Sequence, residues 1–156
     1  MSGISVLRCT FLLSLLFVAA CNAERLPTQR MFVQSINSGS AIDMMSQGQV
    51  YRVKLCGVDV AAKQDDRARK LLKKLTELAD EEDKALVVVT VRSQGSTITA
   101  EVFAPTTNRD EEKSLNSELL AAGLARTSKE NCPNQEAYQA IEQDAKERRV
   151  GLWGGR

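Results

Sequence analysis

Residues 49–59 read QVYRVKLCGVD and are the most informative segment of the chain. Its apolar and polar positions alternate, which is typical of a strand that buries one face. The two faces carry Val53 and Leu55 on one side and Arg52, Lys54 and Cys56 on the other. The residues just before it, 46–49 (SQGQ), have the composition of a tight turn. The stretch therefore predicts a half-buried strand that leaves a turn.

Further strands are predicted on both sides of this stretch. They are β-branched or alternating runs bounded by Gly, Ser and Asn, at 30–37, 41–46, 85–92 and 97–103. Residues 93–96 (SQGS) have hairpin chemistry, and 105–110 form a polar loop. Residues 124–128 are expected to be extended.

Three helices are predicted between and after the strands. The clearest is 64–80, whose apolar stripe consists of Ala68, Leu71, Leu72, Leu75, Leu78 and Ala79. An acidic run, 80–83, closes it. A short helix over 115–122 stops at Gly123. In a last helix, capped by Asn134 and ending near Arg149, the inward side chains are Tyr138, Ile141 and Ala145. The order β-β-β-α-β-β-α-(β)-α fits a closed barrel with helices on one side.

The N-terminal residues predict export. Residues 1–20 carry one charge, Arg8, before an apolar run that is too short to cross a bilayer, so they are interpreted as a signal peptide. Residues 18–21 (VAAC) resemble the bacterial lipobox, which makes Cys21 a candidate for lipidation; ordinary cleavage after Ala20 or Ala23 is the alternative. Residues 21–29 are then a polar tether, and 30–156 form the single domain.

Charge gives little support to nucleic-acid binding. The chain has 21 basic and 20 acidic side chains, and loss of the leader removes one basic residue, so the remainder is balanced. Basic residues recur along the first and last helices, at Arg67, Arg69, Lys70, Lys73, Lys74, Lys146, Arg148 and Arg149. Acidic residues are interleaved with them, which favours solvated helix faces. Histidine is absent, which excludes histidine catalysis and histidine metal sites.

Three segments of the chain resemble the staphylococcal nuclease (thermonuclease-like) family. They are QVYRVKLCGVD at 49–59, SLNSELLAAGLA at 114–125 and GLW at 151–153, and the resemblance extends over about 30–153. It implies an α+β, mainly β, architecture: a five-stranded OB-fold barrel that carries three helices. Trp153 is then expected to be a hydrophobic plug that holds the chain end to the last helix.

The resemblance also implies a site, and most of that site is missing here. The family cleaves phosphodiesters with Ca²⁺ bound by two aspartates, a glutamate that activates water and two arginines on the phosphate. Aligned through 48–49 and 57–59, the two aspartates, the glutamate and the first arginine fall on Ser40, Asp59, Ala62 and Lys54 respectively. Alignment through 100–103 places the second arginine on Thr97. Only the aspartate at 59 is retained, and lysine at 54 keeps a charge without the planar fork of arginine.

Alternatives remain for three charged residues. Asp43 is a displaced metal ligand only if the hairpin before 48–49 shortens. Arg52 either reaches the cleft beside Lys54 or lies in solvent at the barrel rim. Asp59 either binds a ligand or hydrogen-bonds backbone amides and shapes the turn that leads to the helix.

The two cysteines inside the domain, Cys56 and Cys132, are expected to form a disulfide. Export favours oxidised thiols, and the resemblance brings the loop that carries Cys132 toward the strand end that carries Cys56. Closing such a loop contributes roughly 3–4 kcal/mol in the chain-entropy model.

The sequence thus predicts an exported thermonuclease-like domain with a degenerate catalytic site, acting as a non-catalytic binding or structural module. It is either lipid-anchored in the cell envelope through Cys21 or secreted. No metal or cofactor is expected, and the partner is a protein or a polyanion. The alternative is a calcium-dependent endonuclease or phosphodiesterase for DNA or RNA, with a rearranged site of Arg52, Lys54 and Asp59.

Overall fold

The computed structural model describes residues 26–77, 85–106 and 111–155. In chain order its strands and helices are β1 Thr28–Ser38, β2 Ala41–Ser46, β3 Gln49–Leu55, β4 Val58–Asp59, α1 Asp65–Glu77, β5 Ala85–Gln94, β6 Thr97–Pro105, β7 Glu112–Ser114, α2 Leu115–Ala121, β8 Arg126–Thr127 and α3 Gln135–Glu147. Short 3₁₀ turns at Ala62–Gln64 and Gly151–Trp153 precede α1 and follow α3. The predicted element order is confirmed, and the short strands β4 and β7 are added to it.

Five of these strands close a barrel in the order β3-β2-β1-β5-β6. The neighbours in this order are antiparallel, and the barrel is closed by a parallel pairing of Arg52–Leu55 with Thr97–Ala100. Strand β7 pairs with the end of β6, while β4 and β8 form a separate two-stranded sheet. The fold is therefore the OB-type barrel with three helices that the family resemblance implies.

Alternate residues of the strands fill the barrel, as the period-two pattern predicts. On β3, Val53 and Leu55 are buried, whereas Arg52 and Lys54 are exposed. Cys56 is the exception: its predicted place on the polar face is wrong, because β3 ends at Leu55 and the turn that follows points the Cys56 sulfur into the core.

Helix α1 packs its predicted stripe against the barrel. Ala68, Leu72 and Leu75 are buried, and Leu71 packs partly against the core. The predicted stripe continues to 78–79 and the acidic run to 80–83, but both lie outside the described residues.

Helix α2 begins and ends with recognisable caps. Ser114 Oγ accepts a hydrogen bond from the backbone N–H of Ser117 at the N-terminus. At the C-terminus Gly123 has a φ of +62°, and a side chain there would also meet the backbone of Val150. The predicted stop at Gly123 is confirmed.

Asn116 anchors α2 to the barrel from a fully buried position. Its Nδ2 donates to the carbonyl oxygen of Cys56 at 2.7 Å, and its Oδ1 accepts from Val102 N–H at 3.0 Å. One amide side chain therefore satisfies backbone groups of two segments that the sequence separates widely.

Helix α3 buries Tyr138 and Ala145, with Ile141 half-buried, as predicted. The side-chain cap predicted for Asn134 is wrong, because its side chain makes no capping bond. Instead the Asn134 backbone N–H and Nδ2 donate to the carboxylate of Glu101 at 2.9 and 2.6 Å. Glu101 is only 2% exposed, and a buried carboxylate requires such donors.

The segment after α3 returns to α2. The backbone N–H of Leu152 donates to the Gly123 carbonyl at 2.7 Å. The Trp153 ring is half-buried, with the Arg126 guanidinium at 5.1 Å and the Lys146 ammonium at 4.7 Å from its centroid. The ring therefore makes cation–π contacts, one of them with Lys146 of the last helix.

The predicted leader, the lipidation candidate Cys21 and most of the predicted tether lie outside the described residues. The tether's last two residues, Thr28 and Gln29, belong to β1. Within the described ranges, no helix has the length and apolar character needed to cross a membrane.

Candidate functional site

A cleft of about 870 Å³ lies where the β1–β2 turn, the outer face of β3 and the β4–β8 pair meet. Four of the residues singled out from the sequence line it together: Ser40, Arg52, Lys54 and Asp59. Residues 127–130, which follow α2 and had no predicted role, form another wall. The alternation along β3 explains why Arg52 and Lys54 both point into this cleft.

The β1–β2 turn is held close to α1. The backbone N–H of Gly39 donates to Asp65 Oδ1 at 2.7 Å, at the first residue of the helix. A side chain at position 39 would approach Ala68 Cβ to 2.6 Å, so glycine permits this contact. The turn thereby fixes Ser40 at the edge of the cleft.

Asp59 is exposed at the end of β4, opposite Arg126 of β8 in the register. Among the described residues its carboxylate has no hydrogen-bond partner. The backbone contact proposed for Asp59 from the sequence is made instead by Asp65, which accepts from Gly39. The Asp59 carboxylate therefore remains available to a ligand.

Thr97 lies in a smaller pocket of about 100 Å³ that adjoins the cleft and shares Lys54 and Glu130 with it. The register explains the composition of this pocket. Lys54 on β3 is opposite Thr99 on β6, and Thr99 is opposite Arg92 on β5. A lysine and an arginine therefore flank a threonine across three neighbouring strands.

Arg92 was missed as a site residue by the sequence reasoning. The family alignment assigned the position of the second arginine to Thr97, whereas the side chain that supplies a guanidinium near this place comes from the neighbouring strand. The sequence signal that could have placed Arg92 is the register of the β5–β6 hairpin, which sets Arg92 opposite Thr99. That register points to the site only when the parallel pairing of β3 and β6 is also known.

The arginine of the cleft, Arg52, and the arginine of the adjoining pocket, Arg92, are each paired with a carboxylate of the chain itself. Arg52 Nε and Asp43 Oδ1 are 3.0 Å apart, and a second contact joins the two groups at 3.3 Å. Hydrogen bonding by Arg52, aided by Asn37, holds the pKa of Asp43 below its usual range. This pairing identifies Asp43 as the partner of Arg52 and leaves no support for its use as a displaced metal ligand.

Arg92 pairs with Glu130, whose Oε1 lies 3.5 Å from the guanidinium. Glu130 Oε2 also accepts from Gly57 N–H at 3.3 Å. Within the described part of the chain, Lys54 and Lys129 are the cleft cations without an ion pair.

The predicted disulfide between Cys56 and Cys132 is confirmed, with a Cα–Cα distance of 6.0 Å. It fixes the segment before α3 to the turn after β3, beside the cleft. The backbone adds a second link, since Ser128 N–H donates to the Gly57 carbonyl at 3.0 Å. Gly57 itself has a φ of +75° and lies against the ring of Tyr138, where a Cβ would not fit.

The cleft residues do not fit the Ca²⁺ that the family uses. Calcium takes six to eight oxygen ligands, usually including several carboxylates. Asp59 and Glu130 are the carboxylates among the described lining residues, and Glu130 is already held by Arg92 and Gly57. The described residues bring Cys56, Glu130 and Cys132 together as a group of metal-ligand type, but both sulfurs belong to the disulfide.

The residue at the family's water-activating position, Ala62, supplies no catalytic group. Ala62 is exposed in the 3₁₀ turn before α1, and its methyl group can neither accept a proton nor orient water. It does not contribute to the lining of the cleft.

Comparison with known proteins agrees with the barrel fold. No curated protein matches the chain. A family model, described as staphylococcal nuclease homologue, matches residues 52–155, which include the second half of β3, the three helices and most of the residues that line the cleft. The chain belongs to the staphylococcal nuclease homologue family.

Proposed function

We propose that this protein is an exported, non-catalytic member of its family, a binding module whose nuclease site has decayed. The observation that carries the proposal is the composition of the cleft. Asp59 is its one carboxylate without a partner among the described residues, and the other family positions hold Ser40, Lys54, Ala62 and Thr97. The cleft therefore lacks several of the groups with which the family is expected to carry out hydrolysis.

Each missing group removes a separate requirement of phosphodiester hydrolysis. A serine at position 40 supplies no carboxylate to a divalent cation. An alanine at 62 cannot orient the attacking water. A threonine at 97 carries no charge to stabilise the transition state, and the nearby guanidinium of Arg92 is already paired with Glu130. Losing a single such donor costs about 10²–10³ in rate.

The purified domain is therefore expected to leave DNA and RNA intact. Fluorogenic oligonucleotides are incubated with the domain in millimolar Ca²⁺, from neutral to alkaline pH, beside an Asp59→Asn variant. The expected result is background signal for both proteins, with an active thermonuclease as the positive control. Turnover in the parent that disappears in Asp59→Asn would overturn the proposal and support the rearranged calcium-dependent nuclease.

Export and anchoring are part of the same proposal and come from residues 1–23. The lipobox-like 18–21 (VAAC) predicts a mature chain that begins at an acylated Cys21. Mass spectrometry of the N-terminus of the exported protein checks this. An unmodified start at Glu24 would contradict lipidation and favour ordinary secretion.

A further inference from the structure

At the pocket next to the cleft, donor groups of the chain hold one of its own carboxylates, that of Glu130. The Glu130 carboxylate accepts from Gly57 N–H at 3.3 Å and lies 3.5 Å from the Arg92 guanidinium. Lys54 lines the same pocket of about 100 Å³, together with Thr97 and Thr99. Guanidinium, ammonium, backbone N–H and hydroxyl groups are the donors that oxyanions bind.

The contacts of Glu130 are loose enough to be replaced. Its side chain is 41% exposed and that of Arg92 is 58% exposed. Ion pairs with this exposure stabilise a fold very little, because water competes for both charges. The disulfide and the Ser128–Gly57 backbone bond hold the surrounding segment. Rotation of the Glu130 side chain can therefore vacate the site while the backbone stays in place.

The charges around the pocket favour a carboxylate over a polyanion as the external ligand. The pocket volume suits one small oxyanion, and the donor groups at its edge already hold one carboxylate, that of Glu130. A phosphate backbone would bring a row of charges, which would also meet Asp59 in the cleft. Single acidic side chains avoid this repulsion.

We propose that Glu130 is an internal competitor for an acidic protein partner. A glutamate or aspartate of the partner takes the place of the Glu130 carboxylate at Arg92 and Gly57 N–H, and Lys54 contacts a neighbouring acidic side chain. This inference rests on the proposed function as a binding module, and it names the chemistry of the partner.

The test compares two alanine variants, each of which removes one negative charge from a different glutamate. Glu130→Ala empties the oxyanion site, whereas Glu136→Ala removes an exposed glutamate from the first turn of α3. Binding of a fluorescein-labelled peptide that carries two adjacent glutamates among neutral residues is measured by anisotropy at physiological salt. We expect Glu130→Ala to bind about tenfold more tightly than the parent or Glu136→Ala, and Arg92→Gln added to Glu130→Ala to abolish the gain.

A second substitution guards against a folding defect. Glu130→Gln keeps the size of the side chain and removes its charge, so a smaller gain in peptide binding is expected, with circular dichroism confirming the fold. Equal peptide binding by the parent and all Glu130 variants would overturn the inference. A gain for a labelled oligonucleotide without one for the peptide would also overturn it.

The two proposals fail in different assays. Nucleic-acid cleavage by the parent would overturn the proposal that the protein is non-catalytic, and the peptide-binding result would be unaffected. Peptide binding that does not change when Glu130 is replaced would overturn the internal competitor, and the expected absence of nucleic-acid cleavage would be unaffected.

Discussion

Replacing Cys56 and Cys132 together with alanine is expected to lower the free energy of unfolding by about 4 kcal/mol. The disulfide joins residues 76 positions apart, so it restricts a large loop in the unfolded chain. Both cysteines are also buried in the core, which leaves the folded state little freedom to adapt. Urea unfolding followed by circular dichroism measures the difference.

Reduction supplies the control for this double substitution. The parent protein unfolded in the presence of dithiothreitol should have nearly the midpoint of the double alanine variant, since both lack the cross-link. An oxidised parent no more stable than the variant would contradict the stabilising role of the disulfide. Two free thiols in unfolded, unreduced protein would contradict the disulfide itself.

Replacing Asn116 with alanine is expected to cost about 2–4 kcal/mol of stability. The substitution removes the partner of the Val102 N–H and of the Cys56 carbonyl, both satisfied by this one side chain. Asn116 is completely buried, so bulk water does not replace the lost bonds. Thermal and urea unfolding of the purified variant measure the loss.

Asn131→Ala is the matched control, because Asn131 is exposed. Its effect should stay within about 0.5 kcal/mol. Equal losses for the two substitutions would show that the buried amide of Asn116 has no special role in joining α2 to the barrel.

The local elements of the fold could be predicted because their signals lie within a few residues of one another. The alternation of Val53 and Leu55, the 93–96 turn and the stop at Gly123 each encode their own structure. Two predictions failed where a distant group intervened. Cys56 turns inward to meet Cys132, and Asn134 bonds the buried Glu101 in place of its own helix.

Some residues of the candidate site could be predicted from the sequence, and others could not. Ser40, Lys54 and Asp59 could be placed together because turns of known chemistry fix their spacing along the chain. Arg92 and Glu130 could not, since they reach the site from β5 and from the segment before α3. Their positions depend on the closure of the barrel and on the disulfide, and neither pairing leaves a periodic pattern in the sequence.

The parallel pairing of β3 with β6 has a consequence for the kinetics of folding. Residues 52–55 and 97–100 must meet across a long intervening chain, whereas the hairpins on either side form between near neighbours. We therefore expect the β3–β6 pairing, called here the barrel seam, to form late in folding. Lys54 and Arg92 lie on strands to either side of β6, so the pocket between them is assembled only in that step. A ligand that bridges them would hold the barrel seam shut and slow the unfolding of the barrel.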